Sequence, residues 1–261
     1  MTSQRVEQYA EELDQALGAR QPIEPLSARG AVLDLATAYA VQDAFIARRK
    51  SRGARVVGKK IGLTSAAIRT ALGVDEPDFG VLLDTMHVPE HRPVPLSALI
   101  QPKVEGEIAF VLDRDLDDPY VNEATVLRAT AFVMPALEII DSRITDWRIT
   151  LGDTIADNAS SGMFVLGGTA TPVDGLDLRH IGMSFFHNGA LISTAAGAAC
   201  LGNPVAAVAW LANTLRGYGG MLRAGDVILS GGLAAPVIPA AGDWIEMHMQ
   251  ALGIVTARFE A

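Results

Sequence analysis

The chain has 261 residues, of which 49% are hydrophobic and 20% charged, and its formal net charge is −9. This composition supplies enough apolar side chains for a sizeable core, and the excess of acidic residues argues against nucleic acid as a partner. The single cysteine, Cys200, leaves no intrachain disulfide among these residues, and we interpret it as a small buried residue.

Two segments bear on localisation. Residues 1–15 carry acidic side chains and no apolar core, so they do not predict a signal peptide. Residues 181–215 contain no Lys, Arg, Asp or Glu, but glycines and a proline divide them into pieces too short to span a bilayer. We therefore expect a soluble, cytoplasmic protein without a membrane partner.

Hydrophobic periodicity places helices at the start of the chain and strands after them. Apolar residues at helical spacing predict helices over residues 3–20 and 27–52, and Gly53 is placed to end the second. Strand patterns follow over residues 55–62, 104–112, 133–142, 162–167, 181–187, 190–195, 226–231, 244–249 and 253–259.

Two local signals in the second half are specific. The pair Asn188-Gly189 between two apolar runs predicts a two-residue hairpin turn. Asn203 and Pro204 predict the start of a helix that Gly217 ends. Helices first and many strands afterwards indicate an α+β fold, with a helical region over residues 1–53 and a β-rich body over residues 54–261, which we expect to act as one functional unit.

Several catalytic motifs are absent from the sequence. It has no Gly-x-Gly-x-x-Gly, no phosphate-binding loop and no Gly-x-Ser-x-Gly nucleophile elbow. His87 and His91 have the spacing of a helical metal pair, but Pro89 between them argues against a helix. We interpret both histidines as loop residues, which leaves a histidine-based zinc site or a Ser/His/Asp triad without support.

Three glutamates indicate a metal site instead. Glu105 and Glu107 lie two residues apart in a strand pattern, so both side chains point to one face, roughly 6.5–7 Å apart. Glu138 lies in an apolar run, where an unpaired carboxylate is costly. Such acids favour a divalent ion with hard oxygen ligands, Mg²⁺ or Mn²⁺ before Zn²⁺. A solvated strand face is the alternative for the Glu-x-Glu pair.

Other polar residues have two interpretations each. Lys60 lies between Gly58 and Gly62 on one strand face, where an anionic ligand could approach it, or it is a surface lysine of an edge strand. Asp78 lies in a turn-rich segment and is either a proton-transfer group or a turn former. The polar cluster over residues 157–162 supplies hydrogen bonds to a ligand or caps a loop.

Five segments together resemble a known family: residues 58–65, 77–80, 103–110, 138–143 and 156–161. In order and content they are similar to the 2-hydroxypentadienoate (2-keto-4-pentenoate) hydratases, in the hydratase/decarboxylase branch of the fumarylacetoacetate hydrolase superfamily. The resemblance continues through residues 196–199, 208–213 and 224–231, and so covers nearly the whole chain.

The resemblance implies a fold, a cofactor and partners. The body is expected to be the superfamily's rolled mixed β-sheet, and Glu105, Glu107 and Glu138 the ligands of Mg²⁺ or Mn²⁺. The family forms homo-oligomers, often pentamers or decamers, and some members associate with a sister decarboxylase or with the downstream aldolase.

The implied reaction is hydration of 2-hydroxypenta-2,4-dienoate to 4-hydroxy-2-oxopentanoate, in the meta-cleavage degradation of aromatic compounds. The candidates for proton transfer or water activation are Lys60 and Asp78, while Asp157 and Ser160 would orient water or substrate. Candidates for substrate binding are Lys60, Ser65, Lys103 and Asn158.

Two related activities remain as alternatives. In the 4-oxalocrotonate decarboxylases Gly106 is usually replaced, the residue before Lys60 is apolar and the run after Ser161 differs, whereas this sequence resembles the hydratases at all three places. Hydratases of the longer 2-oxohept-4-ene-1,7-dioate usually have a His or similar residue before the lysine.

Overall fold

A computed structural model describes residues 2–29, 33–66, 69–70 and 73–261 of the chain. Helices α1 (Ser3–Ala19) and α2 (Leu35–Ser51) pack against each other. The predicted helix over residues 27–52 is wrong in its first part, of which residues 30–32 lie outside the described residues. Residues 27–29 form a short 3-10 turn, and α2 starts later because Asp34 caps it, accepting a hydrogen bond from the Thr37 amide at 2.8 Å.

The larger sheet carries the candidate site. Across the described residues, its strands run in the order β2 (Asp78–Leu83), β1 (Val56–Gly62), β9 (Val227–Leu229), β4 (Pro102–Leu112), β5 (Thr130–Asp141) and β6 (Ser161–Leu166). Strands β1 and β9 are parallel and the other neighbours antiparallel, so the sheet is mixed. Strand β2 was missed, because its acidic and glycine-rich start has the composition of a turn.

The smaller sheet lies against it. Its described strands run in the order β3 (Val94–Pro95), β11 (Gly253–Glu260), β10 (Trp244–Met249), β7 (Gly182–His187) and β8 (Ala190–Ala196). The hairpin prediction is confirmed: Asn188 and Gly189 join β7 to β8, with φ of 52° and 79°. Positive φ at both central residues matches the right-handed twist of the strands.

Three further α-helices have both ends within the described residues: α3 (Glu123–Ala129), α4 (Leu151–Ala156) and α5 (Pro204–Gly217). The prediction of α5 is confirmed, and Asn203 Oδ1 caps it by accepting a hydrogen bond from the Val205 amide at 3.1 Å. The short helices α3 and α4 were missed, since six or seven residues give little periodicity.

One helical stretch of the described chain, Gly197–Gly217, is long and apolar enough to cross a membrane, judged by length and composition alone. Half of its most apolar window is buried inside the protein, which is also expected for a core helix. Its regular part, α5, has 14 residues and rises about 21 Å, less than the roughly 30 Å of a bilayer core.

The two sheets meet at the face of β4 that lies opposite the glutamates. A Cβ on Gly106 would lie 2.6 Å from Met247 Sδ of β10, so a larger residue here would require the Met247 side chain to move. A second apolar cluster joins the N-terminal helices to the sheet, through Leu13, Phe45 and Leu83. The division of the chain at residue 53 stays a prediction, although the helices share this core with β2.

Candidate metal centre and active-site cavity

Three glutamates from two neighbouring strands converge. In the antiparallel ladder Glu105 of β4 is directly opposite Glu138 of β5, and Glu107 lies two residues further along the same face. One carboxylate oxygen from each lies within 4.8 Å of the others. Glu107 and Glu138 are completely buried, and Glu105 is partly exposed to a cavity. The shared face expected of Glu105 and Glu107 is thus present, and the solvated alternative is wrong.

These carboxylates have fewer partners than buried acids require. Among the described residues, Glu107 Oε1 and both carboxylate oxygens of Glu138 have no partner with hydrogen-bond geometry, although Lys60 Nζ forms an ion pair with Glu138 Oε2. Glu107 Oε2 accepts a hydrogen bond from the Gly231 amide at 2.7 Å. Burial raises the pKa of all three groups, to about 7 for Glu105. Clustered, unpartnered carboxylate oxygens fit a hard divalent cation, which would neutralise their repulsion.

Lys60 lies inside this acidic cluster. Its side chain is 3% exposed, with Nζ 3.3 Å from Glu138 Oε2, and the ammonium donates a hydrogen bond to the Ala159 carbonyl at 3.0 Å. Burial alone would lower its pKa, but Glu138, Asp78 and the other carboxylates together raise it above the ordinary value. The surface-lysine alternative is therefore wrong, and Lys60 is a cation among acids.

The glycines beside Lys60 make room for protein groups. A Cβ on Gly58 would lie 1.8 Å from the Val227 carbonyl oxygen, so that space belongs to strand β9. A Cβ on Gly62 would lie 2.1 Å from Asp78 Oδ1. Because Gly62 has no side chain, the Asp78 carboxylate can occupy this space near Lys60.

Asp78 is buried at the first position of β2, opposite Gly62. Its Oδ2 accepts a hydrogen bond from Thr154 Oγ1 at 3.2 Å, while Oδ1 has no partner among the described residues. Burial raises its pKa, although Lys60 opposes the shift. The turn-former interpretation is wrong, and Asp78 is a buried acid of the cavity with one free oxygen.

A strained turn presents further groups to the cavity. Asn158, Ala159 and Ser160 have φ of 55°, 49° and 51°, a left-handed conformation that costs of order 1–3 kcal/mol per non-glycine residue. The Asn158 amide holds the turn, because it donates to the Val81 carbonyl at 3.0 Å and accepts from the Val81 amide at 2.7 Å. As a result the Ala159 carbonyl contacts Lys60, and Ser160 Oγ, buried and unpartnered, lies at the cavity.

A buried ion pair between Arg143 and Asp157 stabilises the same turn. The Arg143 side chain donates to the Asp157 carboxylate and, at 2.8 Å, to the Ser161 carbonyl, while Ser142 Oγ donates to Asp157 Oδ2 at 3.2 Å. Burial raises the pKa of Asp157 to about 6 despite Arg143. Asp157 and Asn158 are thus engaged with the protein and are not among the lining residues of the cavity, and the roles expected of them towards water or substrate stay predictions.

The cavity has a volume of about 290 Å³. It brings together five of the predicted site residues, namely Lys60, Asp78, Lys103, Glu105 and Ser160. Ser65 is not among its lining residues. Its apolar lining was not predicted: Leu63, Ile140, Trp147, Ile149 and Pro236.

Sequence reasoning missed several residues of the site, and these differ in whether any sequence signal marked them. Arg143 lies in a segment that carried the family resemblance, but nothing there indicated its partner. No sequence signal marks Trp147 or Pro236, because tertiary packing alone brings them to the cavity.

Sequence comparisons identify relatives over the whole chain. Residues 60–260 match the fumarylacetoacetate (FAA) hydrolase C-terminal family. The chain is 50% identical over 261 residues to a 2-keto-4-pentenoate hydratase of Paraburkholderia xenovorans, covering 100% of this chain and 97% of that protein. It is 43% identical over 258 residues to a 2-hydroxyhexa-2,4-dienoate hydratase of Comamonas testosteroni, covering 98% of each.

Solved structures agree with this relationship. A 4-oxalocrotonate decarboxylase from Pseudomonas putida G7, complexed with magnesium and adipate, has a TM-score of 0.96 at 38% identity, covering 99% of this chain and 98% of that one. A fumarylpyruvate hydrolase from Pseudomonas aeruginosa, complexed with Mn²⁺ and pyruvate, shares the fold with a TM-score of 0.63 at 14% identity, over 77% of this chain and 88% of that one. The expected α+β fold, with helices before a curled mixed sheet, is confirmed, and the chain belongs to the fumarylacetoacetate hydrolase family.

Proposed function

We propose that the protein is a divalent-metal-dependent hydro-lyase that converts 2-hydroxypenta-2,4-dienoate (2-oxopent-4-enoate) to 4-hydroxy-2-oxopentanoate in meta-cleavage degradation of aromatic compounds. The observation that carries the proposal is the cluster of Glu105, Glu107 and Glu138, with oxygens within 4.8 Å and Lys60 beside them. The hydratase relatives, 43–50% identical over nearly the whole chain, favour this reaction among those of the family.

The metal would be Mg²⁺ or Mn²⁺, held by the three glutamates. When bound, it would supply Lewis-acid stabilisation of negative charge on the 2-oxo acid. Lys60 keeps its positive charge beside Glu138 and is suited to bind the substrate carboxylate. Lys103 adds a second cation at the cavity.

Proton movements fall to the groups that line the cavity. The reaction moves the dienol proton to carbon 5, adds the hydroxyl of water at carbon 4 and adds the remaining proton at carbon 3. Asp78 is the best candidate for proton transfer, because it is buried, has one free oxygen and has a raised pKa. Ser160 Oγ is placed to orient water or substrate.

The second candidate function is decarboxylation of 4-oxalocrotonate, favoured by the TM-score of 0.96 to that decarboxylase. Hydration of 2-oxohept-4-ene-1,7-dioate is the remaining alternative. Both act on dicarboxylates, so substrate and product separate them from the proposed reaction.

The test is an assay of the purified protein with Mg²⁺ and the dienol. We expect loss of the dienol's ultraviolet absorbance, formation of 4-hydroxy-2-oxopentanoate and no turnover after treatment with a chelator. Release of CO₂ from 4-oxalocrotonate, without hydration of the dienol, would assign the decarboxylase function instead.

We also propose a cytoplasmic homo-oligomer, a pentamer or decamer, able to associate with a sister decarboxylase or a downstream aldolase. The edge strand β8 supports an assembly, because it exposes Leu191 and Ile192 and carries no charged residue. Light scattering during size-exclusion chromatography would measure the subunit number, and a monomer would contradict the oligomer.

A further inference from the structure

We propose that Gln42 of helix α2 is a positioning residue of the active site: its side-chain amide holds the strand that carries Asp78 and the helix that carries Thr154 at the spacing that their hydrogen bond requires. This inference rests on the proposed function and concerns how its proton-transfer group is held. Gln42 lies before residues 60–260, the segment that matches the family. The inference therefore assigns the N-terminal helices a part in the reaction.

The hydrogen bond between Asp78 and Thr154 joins a strand to a helix. Asp78 begins β2, and Thr154 lies in α4, 76 residues later in the chain. Both residues line the cavity. Thr154 Oγ1 donates to Asp78 Oδ2 at 3.2 Å, which is at the long end for a hydroxyl donor, so a small displacement of α4 against β2 would break the bond. No strand ladder fixes this separation, because one partner is helical.

Gln42 bridges the two elements beside this bond. Its Nε2 donates to the Phe79 carbonyl and to the Ile155 carbonyl, each at 2.9 Å. These acceptors are the residues that directly follow Asp78 and Thr154 in the chain. An amide nitrogen has two hydrogens, so both are used here. Gln42 is 1% exposed, so water does not compete for these bonds, and the bridge sets the distance between β2 and α4.

The N-terminal region also holds each element separately. Tyr39, one turn before Gln42 on α2, stacks on Phe79 of β2, with ring centroids 4.3 Å apart and planes 15° apart. In the first turn of α4, Asp153 Oδ2 accepts from Ser27 Oγ at 2.6 Å and Asp153 Oδ1 accepts from the Ser27 amide at 3.0 Å. Both elements are thus attached to the N-terminal region, and Gln42 joins them to one another.

The first test removes the two donors. Gln42→Met keeps the length of the side chain, and Gln42→Asn is too short to reach both carbonyls. Each should lower kcat for Mg²⁺-dependent hydration of the dienol by roughly tenfold, with KM changed less than about twofold, because Asp78 is displaced while the glutamates on β4 and β5 are not. Mn²⁺ affinity, measured by electron paramagnetic resonance, should also stay unchanged. Unchanged kcat in both variants would overturn the inference.

A control separates positioning from a general loss of stability. Ile46 is a buried apolar residue one turn after Gln42 on the same helix. Ile46→Ala should lower Tm at least as much as Gln42→Met, because it leaves a cavity in the core, yet keep kcat within about twofold of the wild type. An equal loss of kcat in the two variants would overturn the inference.

A double-mutant cycle tests whether Gln42 acts through the hydrogen bond. Thr154→Val removes the hydroxyl and keeps the shape of the side chain, so it should lower kcat by roughly tenfold, as Gln42→Met does. The double variant should lose little more than either single variant, because both changes remove the same bond. Independent effects, which would multiply to roughly 100-fold, would overturn the inference.

A crystal structure of Gln42→Met separates this inference from the proposed function, since it needs no turnover. The distance from Asp78 Oδ2 to Thr154 Oγ1 should exceed about 3.5 Å, beyond hydrogen-bond length. A distance unchanged from 3.2 Å would overturn the positioning role, whatever the wild-type protein catalyses. An increased distance in the variant, with no hydration of the dienol by the wild type, would overturn the proposed function alone.

Discussion

The β7–β8 hairpin and the β4–β5 ladder are both antiparallel strand pairs, but they hold their polar groups in opposite ways. At the hairpin Asn188 Nδ2 donates to Asp243 Oδ1 and His187 Nε2 contacts Asp243 Oδ2, each at 2.8 Å, close to solvent. In the ladder Glu105 faces Glu138 beneath the surface, and buried oxygens lack partners. The polar groups of the hairpin have protein partners, whereas the ladder buries carboxylate oxygens that the proposed metal ion would pair.

The largest effect should come from removing one carboxylate from the cluster of three glutamates in the β4–β5 ladder. Glu107→Gln removes one ligand charge and should lower kcat/KM by roughly 10⁴-fold, or about 5 kcal/mol. The metal-free variant should be more stable than the wild type, because a buried, repelled carboxylate is gone. Steady-state kinetics and thermal unfolding would measure both.

The control for that variant is Glu246→Gln on β10, a partly exposed glutamate beside His248. It should change neither activity nor the Mg²⁺-dependent rise in Tm. Full activity in Glu107→Gln would contradict the role assigned to the cluster.

The next largest effect should come from breaking the buried ion pair between Arg143 and Asp157. Arg143→Met leaves Asp157 buried without its cation and should cost about 3–5 kcal/mol of unfolding free energy. Arg148→Met breaks the exposed pair with Glu24 and should cost at most about 1 kcal/mol. Urea denaturation of both variants would compare them, and equal losses would show that Arg143 does not anchor the turn.

Substitutions at two glycines, one beside the site and one in the hairpin, test the contrast between these two regions. Gly62→Ala places a Cβ 2.1 Å from Asp78 Oδ1 and should displace that acid, lowering kcat by about 100-fold with little loss of stability. Gly189→Ala meets no atom within 4 Å but strains a residue with φ of 79°, which should cost about 1 kcal/mol and leave kcat unchanged. A loss of stability without a loss of kcat in Gly62→Ala, together with a loss of kcat in Gly189→Ala, would contradict the contrast between the two regions.

The smallest effect is a pH dependence of the metal-free protein. Burial raises the folded-state pKa of Glu105 from 4.5 to about 7, so between these values the folded state binds more protons than the unfolded state. Stability of the apo protein should therefore fall as pH rises from about 4.5 to about 7, a Tm change of a few degrees. Glu105→Gln should reduce this slope, and a slope unchanged in the variant would contradict the assignment.

The same contrast explains what sequence could predict. The hairpin followed from Asn188-Gly189 alone, and the shared face of Glu105 and Glu107 followed from strand alternation. Strand β2 was missed because its start has the composition of a turn, and the burial of Asp78 was missed because it depends on the space that Gly62 leaves for the Asp78 carboxylate. The commitment of Asp157 to Arg143 and the position of Trp147 over Lys103 were also not predictable, since each joins segments that only the folded sheet brings together.

The central claim is that three glutamates hold one divalent cation, and anomalous scattering from a crystal grown with Mn²⁺ tests it most directly. The account predicts one strong peak per chain between Glu105, Glu107 and Glu138, at roughly 2.0–2.3 Å from an oxygen of each. A crystal soaked in excess Mn²⁺ with no peak between these carboxylates, or with its only ordered peak elsewhere, would contradict it.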